Sequence, residues 1–170
     1  MVTGVGCMEP EVVSEDEILT NFPPPKTYRL DDVSIDLIRH AGVIVGSTDK
    51  HIRISGAGNS TQKHGGKSLS FLYSTQDLLA VINSLNQLRF FELPTIHNIK
   101  YSVYLKDDGT VGKSALRMHD AANTTVCFNI PEYKKCVTYN SDIAPELEKL
   151  VKHIFSEVDK LLKSSETEHN

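Results

Sequence analysis

The sequence lacks the features that mark several large classes of protein. It has no tryptophan and only three cysteines, too few for the disulfide framework of a small secreted protein. No apolar run approaches the roughly 20 residues that a membrane-spanning helix needs. No charged segment followed by an apolar segment opens the chain, so there is no secretory signal and a cytoplasmic location is favoured. Cys7 follows Gly-Val-Gly, the kind of small residues that precede a lipid-modified cysteine, which leaves lipid anchoring as a minor alternative.

The charge balance argues against nucleic acid as a partner. The chain has 18 Lys and Arg against 22 Asp and Glu, a net charge of −4, whereas phosphate binding needs a concentrated basic surface. Its seven histidines are scattered and add positive charge only below about pH 6.5. The partner that we expect is therefore another protein.

Motifs for catalysis, cofactors and metals are also missing. No serine stands in a G-x-S-x-G pattern, and Gly56-x-Gly58 lacks the third glycine of a dinucleotide fingerprint. The segment 65–68, Gly-Gly-Lys-Ser, is similar to the end of a P-loop, but Thr61 replaces the first glycine and a strand-like segment follows. Histidines and cysteines show no HxH, HxxxH or CxxC spacing. We predict no cofactor and no metal site.

Apolar periodicity predicts two amphipathic helices. From Ser74, a good N-cap, apolar residues recur at helical spacing, and Pro94 ends this helix by about residue 91. The second helix has Asp142 as its cap, Pro145 in its first turn and an apolar stripe that extends to Leu161.

Segments on both sides of the first helix alternate between apolar and polar residues, as strands do. These segments lie near residues 33–37, 51–55, 69–73, 99–105, 111–118, 125–130 and 136–139. The order strands, helix, strands, helix predicts an α+β fold with a single antiparallel sheet and both helices packed on one face.

The chain divides into three parts. Residues 1–30 are an acidic arm that contains three consecutive prolines, residues 31–163 form a single α+β domain, and residues 164–170 are a disordered polar tail. For the arm we favour a flexible leader that packs weakly on the domain, with a docking tail as the alternative.

Cys127 and Cys136 flank the dipeptide Pro131-Glu132. If the neighbouring strands form a hairpin with an even-numbered loop, the two cysteines lie opposite each other, close enough for a disulfide. In a cytosolic protein they would stay reduced. A disulfide and two free thiols are both open at this point.

Several segments together carry a resemblance to a known family. They are 33–40, 88–93, the turn 107–109, 144–147 and 157–161. Over about residues 33–162 the chain resembles a bacterial domain family of unknown function, found in small α+β proteins that are often lipoproteins. Family members commonly have a pair of cysteines with glycine and proline after the first strand, but the matching segment 40–46 here keeps only the glycine. Any role of those cysteines therefore does not carry over.

These observations together predict a non-catalytic protein-binding module of unknown specificity that recognises its partner through an exposed sheet face or an edge strand. An inhibitor- or immunity-like role is one that fits its size and acidity. The alternative is a small hydrolase or small-molecule-binding protein with a pocket between sheet and helix. In that alternative, His119, Asp120 and Cys127 would act together.

Overall fold

The structure is a computed structural model, which describes residues 22–42, 48–97, 99–117 and 123–167. These residues form nine strands and two α-helices. In chain order they are β1 (Ser34–Arg39), β2 (Lys50–Ser55), β3 (Ser60–His64), β4 (Lys67–Phe71), α1 (Thr75–Gln87), β5 (Ile96–His97), β6 (Ile99–Leu105), β7 (Val111–Arg117), β8 (Thr124–Ile130), β9 (Tyr133–Tyr139) and α2 (Pro145–Thr167).

The main sheet is mainly antiparallel. Its strand order is β4-β3-β2-β1-β8-β9-β5, and only the two-residue strand β5 joins in parallel, against the end of β9. The first strand in sequence is thus central, between β2 and β8. The prediction of an α+β fold with an antiparallel sheet is confirmed.

The prediction of a single sheet is not confirmed, because β6 and β7 form a separate two-stranded sheet. Alternation along residues 99–105 identified a strand correctly, but it does not show what covers the apolar side. Val103 and Leu105 are exposed to solvent. No described residue of this hairpin belongs to the hydrophobic core.

The core lies between the main sheet and both helices. Alternate residues of the central strands meet the apolar stripes of α1 and α2 in one cluster. It includes Ile35, Leu37, Ile52, Ile54, Val126, Phe128, Val137, Leu78, Val81, Leu85, Leu147, Val151, Ile154 and Val158. Because successive side chains of a strand point to opposite faces, the intervening polar residues lie on the face away from this core, which we call the outer face.

Helix α1 begins after Ser74 and ends before residue 91, as expected. The Ser74 hydroxyl oxygen accepts a hydrogen bond from the Asp77 N–H at 3.0 Å, which caps the first turn. The helix ends at Gln87, before the limit of about residue 91, and Arg89 then adopts a left-handed conformation with φ of 56°. Phe90 and Phe91 then turn into the core.

Helix α2 differs from expectation at both ends. Asp142 does not cap it; its N–H donates instead to the side chain of Asn140 in the preceding turn, and the helix begins at Pro145. At the other end the helix continues to Thr167, so residues 164–167 belong to it rather than to a tail. Neither described helix is long and apolar enough to cross a membrane.

The described part of the arm, residues 22–30, packs on the domain. The Tyr133 hydroxyl donates to the Phe22 carbonyl at 2.8 Å, and the Tyr28 ring lies edge-on to Phe128 with 5.7 Å between centroids. Cys7 and the acidic segment around it lie outside the described residues.

Candidate functional site

A row of cross-strand neighbours crosses the outer face of the main sheet. Asp36 of β1 pairs with Arg53 of β2 on one side and with Cys127 of β8 on the other. Cys127 in turn pairs with Cys136 of β9. Four consecutive strands thus bring together a guanidinium group, a carboxylate and two sulfur atoms, which are distant in sequence.

Asp36 is the most enclosed charge in this row, with only 8% of its surface exposed. The His51 Nε2–H donates to Oδ1 at 2.8 Å, and the Asn129 amide donates to Oδ2 at 2.9 Å. Arg53 Nη1 lies 3.5 Å from the same Oδ1 atom. A buried carboxylate needs such partners, and the polar side chains of β2 and β8 supply them.

Cys127 and Cys136 form a disulfide in the structure. The two-residue loop at Pro131 and Glu132 sets the register that places them opposite each other, with 4.1 Å between their Cα atoms. The two residues differ in burial: Cys127 is 6% exposed, whereas Cys136 is only half-buried.

A second polar chain lies nearby. His40 Nε2 is 3.1 Å from the Thr125 hydroxyl, which is 2.8 Å from the Thr138 hydroxyl. His40 Nδ1 is 3.3 Å from the Asp49 carboxylate, whose pKa is lowered by the Ala41 N–H and by His40. The order hydroxyl, imidazole, carboxylate matches that of a catalytic triad, but Asp49 is largely exposed and the group lies on an open surface.

The hairpin of β6 and β7 forms a different kind of surface. Val103 is 72% exposed, Leu105 is 74% exposed and Val111 is 66% exposed. Register places Leu105 opposite Val111 on the same face. The turn is fixed by the Asp108 carboxylate, which accepts from the Thr110 hydroxyl and N–H and has a lowered pKa for that reason.

Cavities near the helices are modest. One of about 330 Å³ lies between Pro23, Pro24 and the turn after α1, where Arg89 and Glu92 line it. Another of about 370 Å³ lies at the start of α2, beside Asp142. Between α1 and α2 lie a cavity of about 80 Å³, lined in part by His153 and Glu157, and a second one of about 290 Å³, lined in part by Gln87 and His153.

Of the residues predicted to act together, only Cys127 can be placed. It alternates with the buried residues Val126 and Phe128, so it faces away from the helices. His119 and Asp120 lie outside the described residues. Among the residues that the structure does describe, no group of three or more His, Cys, Asp or Glu is arranged to hold a metal ion.

The alternation along residues 33–37 and 51–55 puts Asp36 and His51 on the polar side of their strands, but it does not bring the two residues together. The alternation within β1 and β2 could have indicated their contact, since two consecutive antiparallel strands bring polar residues of the same face near each other. Asn129 could not be found in this way because it is 93 residues from Asp36.

Comparison with known proteins gave no match: no family model, no curated protein and no solved structure is significantly similar to this chain. The resemblance to a bacterial domain family therefore stays an expectation.

Proposed function

We propose that this protein is a non-catalytic protein-binding module and that the β6–β7 hairpin is its docking element. The observation that carries the proposal is the exposure of Val103, Leu105 and Val111 on a hairpin from which no side chain of residues 102–105 or 111–116 belongs to the core. Contiguous apolar surface on a soluble protein is typical of an interaction site.

Energetics support a partner on this face. An isolated two-stranded hairpin is at best marginally stable in water. Burial of a valine or leucine side chain contributes about 1.5–3 kcal/mol, so a partner that covered three of them would stabilise the hairpin and gain affinity, less the cost of association.

Backbone geometry supports the same element. Within the described residues β6 and β7 pair only with each other, so each has an outer edge with N–H and C=O groups directed away from the hairpin. A partner strand could add to either edge, which is a common mode of peptide recognition. An inhibitor- or immunity-like role suits a small acidic domain with such a projecting element.

The test compares capture of partners by three tagged forms of the full chain. The hairpin variant is Val103→Ser, Leu105→Ser, Val111→Ser, and the control is Leu72→Ser, Leu79→Ser. Leu72 and Leu79 are 75% and 52% exposed but lie outside the hairpin.

We expect a protein that is recovered in stoichiometric amount with the wild type and the control and is lost with the hairpin variant. Circular dichroism confirms that all three forms are folded. Equal recovery with the hairpin variant would refute the assignment of the hairpin.

The alternative, a small hydrolase or small-molecule-binding protein, needs a lined pocket between sheet and helix. Pockets for small molecules usually enclose about 300–1,000 Å³. Two cavities reach this range, at about 330 Å³ and 370 Å³, but the arm, the end of α1, the turn after it and the start of α2 line them, rather than the strands. The two cavities between the helices, of about 80 Å³ and 290 Å³, are likewise lined by no strand residue. Cys127 lies on the other face of the sheet. We therefore favour the binding module.

A further inference from the structure

We propose that the Cys127–Cys136 disulfide is a thiol–disulfide exchange site that accepts electrons from a dithiol, with Asp36 as its proton acceptor and donor. The proposal is independent of the hairpin and of any partner bound there. It rests on three observations: the position of the disulfide on the outer face, the unequal burial of its two cysteines, and the enclosed carboxylate beside one of them.

The first two observations define a direction of attack. Exchange requires a thiolate to approach one sulfur atom of the disulfide from solvent. Cys136 is the more accessible residue, whereas Cys127 is 6% exposed between β1 and β9. The incoming thiolate therefore attacks Sγ of Cys136, and Cys127 is the leaving group.

The charges around the two sulfur atoms are also unequal. Lys134 lies two positions before Cys136 on the outer face of β9 and is exposed. A nearby cation favours a thiolate, so it favours Cys136 as the attacking thiolate when the reduced pair reacts with a disulfide in the reverse direction. Asp36 is instead the direct neighbour of Cys127.

Asp36 is placed to exchange a proton with Cys127. Directly opposed residues of an antiparallel pair have Cβ atoms about 4.5–5.5 Å apart, within reach for the carboxylate and the sulfur. The groups that face Asp36 from β2 are His51 and Arg53, and from β8 Asn129. They hold the carboxylate in place, and His51 connects it to solvent because its side chain is 35% exposed.

The reaction balances as a two-electron transfer. A substrate thiolate bonds to Sγ of Cys136 while the bond between Cys136 and Cys127 breaks, and the leaving thiolate of Cys127 takes a proton through Asp36 and His51. The second thiol of the substrate, deprotonated by solvent, then attacks the mixed disulfide and releases Cys136, which is protonated by solvent. The dithiol becomes a disulfide and the protein carries two thiols. In the reverse direction, Asp36 takes the proton from Cys127.

The first experiment tests whether the disulfide exchanges in the folded protein. The full chain, with Cys7→Ser to leave one pair, is treated with dithiothreitol, and free thiols are alkylated and counted by mass spectrometry. We expect complete reduction in buffer without denaturant. Reduction only in the presence of urea would identify a purely structural disulfide and overturn the proposal.

The second experiment tests the direction of attack. In the same background, Cys127→Ser leaves only Cys136 and Cys136→Ser leaves only Cys127. We expect the first variant to form a mixed disulfide with glutathione disulfide at least tenfold faster than the second. Equal rates, or a faster reaction at Cys127, would overturn the assignment of Cys136.

The third experiment tests Asp36 with a readout that folding alone does not change. Reduced Asp36→Asn protein is mixed with glutathione disulfide, and the lifetime of the mixed disulfide at Cys136 is measured from pH 5 to pH 9. General-base catalysis contributes at least about a hundredfold, so we expect a lifetime at least tenfold longer near neutral pH and a smaller difference at high pH. Asp49→Asn, a carboxylate bonded to a histidine outside the row, is the control and keeps the wild-type profile. A wild-type profile in Asp36→Asn would overturn the role of Asp36.

Discussion

Tyr139 donates a hydrogen bond to Glu148 at 2.7 Å across the boundary between β9 and α2. Tyr139 is fully buried, and its pKa is raised well above the ordinary value by burial and then by the carboxylate that it contacts. The same carboxylate receives both terminal nitrogens of Arg39, at 2.7 Å and 3.1 Å. These contacts tie α2 to two strands of the sheet, the central strand β1 through Arg39 and β9 through Tyr139.

We expect Tyr139→Phe to lower the free energy of unfolding by about 1.5–3 kcal/mol, the usual contribution of a hydrogen bond to a charged group. Urea unfolding at pH 7 measures it. Tyr73→Phe is the matched control, since Tyr73 also donates to a glutamate, Glu157, whose side chain is more exposed. If Tyr73→Phe lowered the free energy of unfolding as much as Tyr139→Phe does, burial of the glutamate would not explain the contribution of Tyr139.

Stability should fall in acid through Glu148. Burial raises the pKa of this carboxyl group, but the hydrogen bonds from Arg39 and Tyr139 outweigh it, so the pKa lies below the ordinary value of 4.5. A group with a lowered folded-state pKa contributes stability above its unfolded pKa and loses it as the pH falls through the folded value. Urea unfolding between pH 7 and pH 3 should therefore show a decline below about pH 4.5. In Glu148→Gln that part of the decline should be absent; an unchanged decline would exclude Glu148 as its source.

The disulfide should also stabilise the fold. Its cysteines are nine residues apart, and closure of a loop of this size in the unfolded chain corresponds to roughly 2–3 kcal/mol. We expect the double variant Cys127→Ser, Cys136→Ser to have a free energy of unfolding that is lower by this amount, measured by urea unfolding. The reduced wild type is the control, because it lacks the disulfide bond but keeps both cysteine side chains. A double variant as stable as the oxidised protein would contradict the prediction.

The left-handed conformation of Arg89 predicts a stabilising substitution. A non-glycine residue in this region costs about 1 kcal/mol, which glycine avoids. Arg89 also forms an ion pair with Glu92, but both side chains are largely exposed and the pair contributes little. We expect Arg89→Gly to be more stable than Arg89→Ala by about 1 kcal/mol in thermal unfolding. Equal stability of the two variants would contradict the backbone explanation.

Local sequence patterns predicted the positions of helices and strands better than the contacts that those helices and strands make. Ser74 and the apolar spacing after it placed the start of α1, because capping and amphipathicity are properties of neighbouring residues. Pro94 gave only an upper limit for the end of α1, and the exact end could not be predicted, since Arg89 is not one of the residues that usually signal a left-handed turn. The exposure of Val103 was missed for another reason: alternation shows that a strand has two faces but not whether one of them is covered.

The candidate sites depended on information that is not local. The alternation of β1 placed Asp36 on the polar side, but its contacts with Asn129 and Cys127 follow from the pairing of β1 with β8. The relation of Cys127 to Cys136 could be stated conditionally, because it depends only on the length of one short loop. The register between strands that are far apart in sequence is what places Asp36 beside Cys127 and Asn129, and local patterns do not contain it.

The central place of β1 has a consequence for synthesis on the ribosome. This strand is made early, yet one of its two edges is paired by β8, and the contact between Asp36 and Asn129 spans 93 residues. Until the last third of the polypeptide has emerged, the edge of β1 that pairs with β8 stays unpaired in the antiparallel unit of β1 to β4. The part of its apolar face that α2 covers also stays exposed, because α2 follows all the strands in sequence. Completion of the sheet is thus a late, long-range event, and slow folding is the expected result.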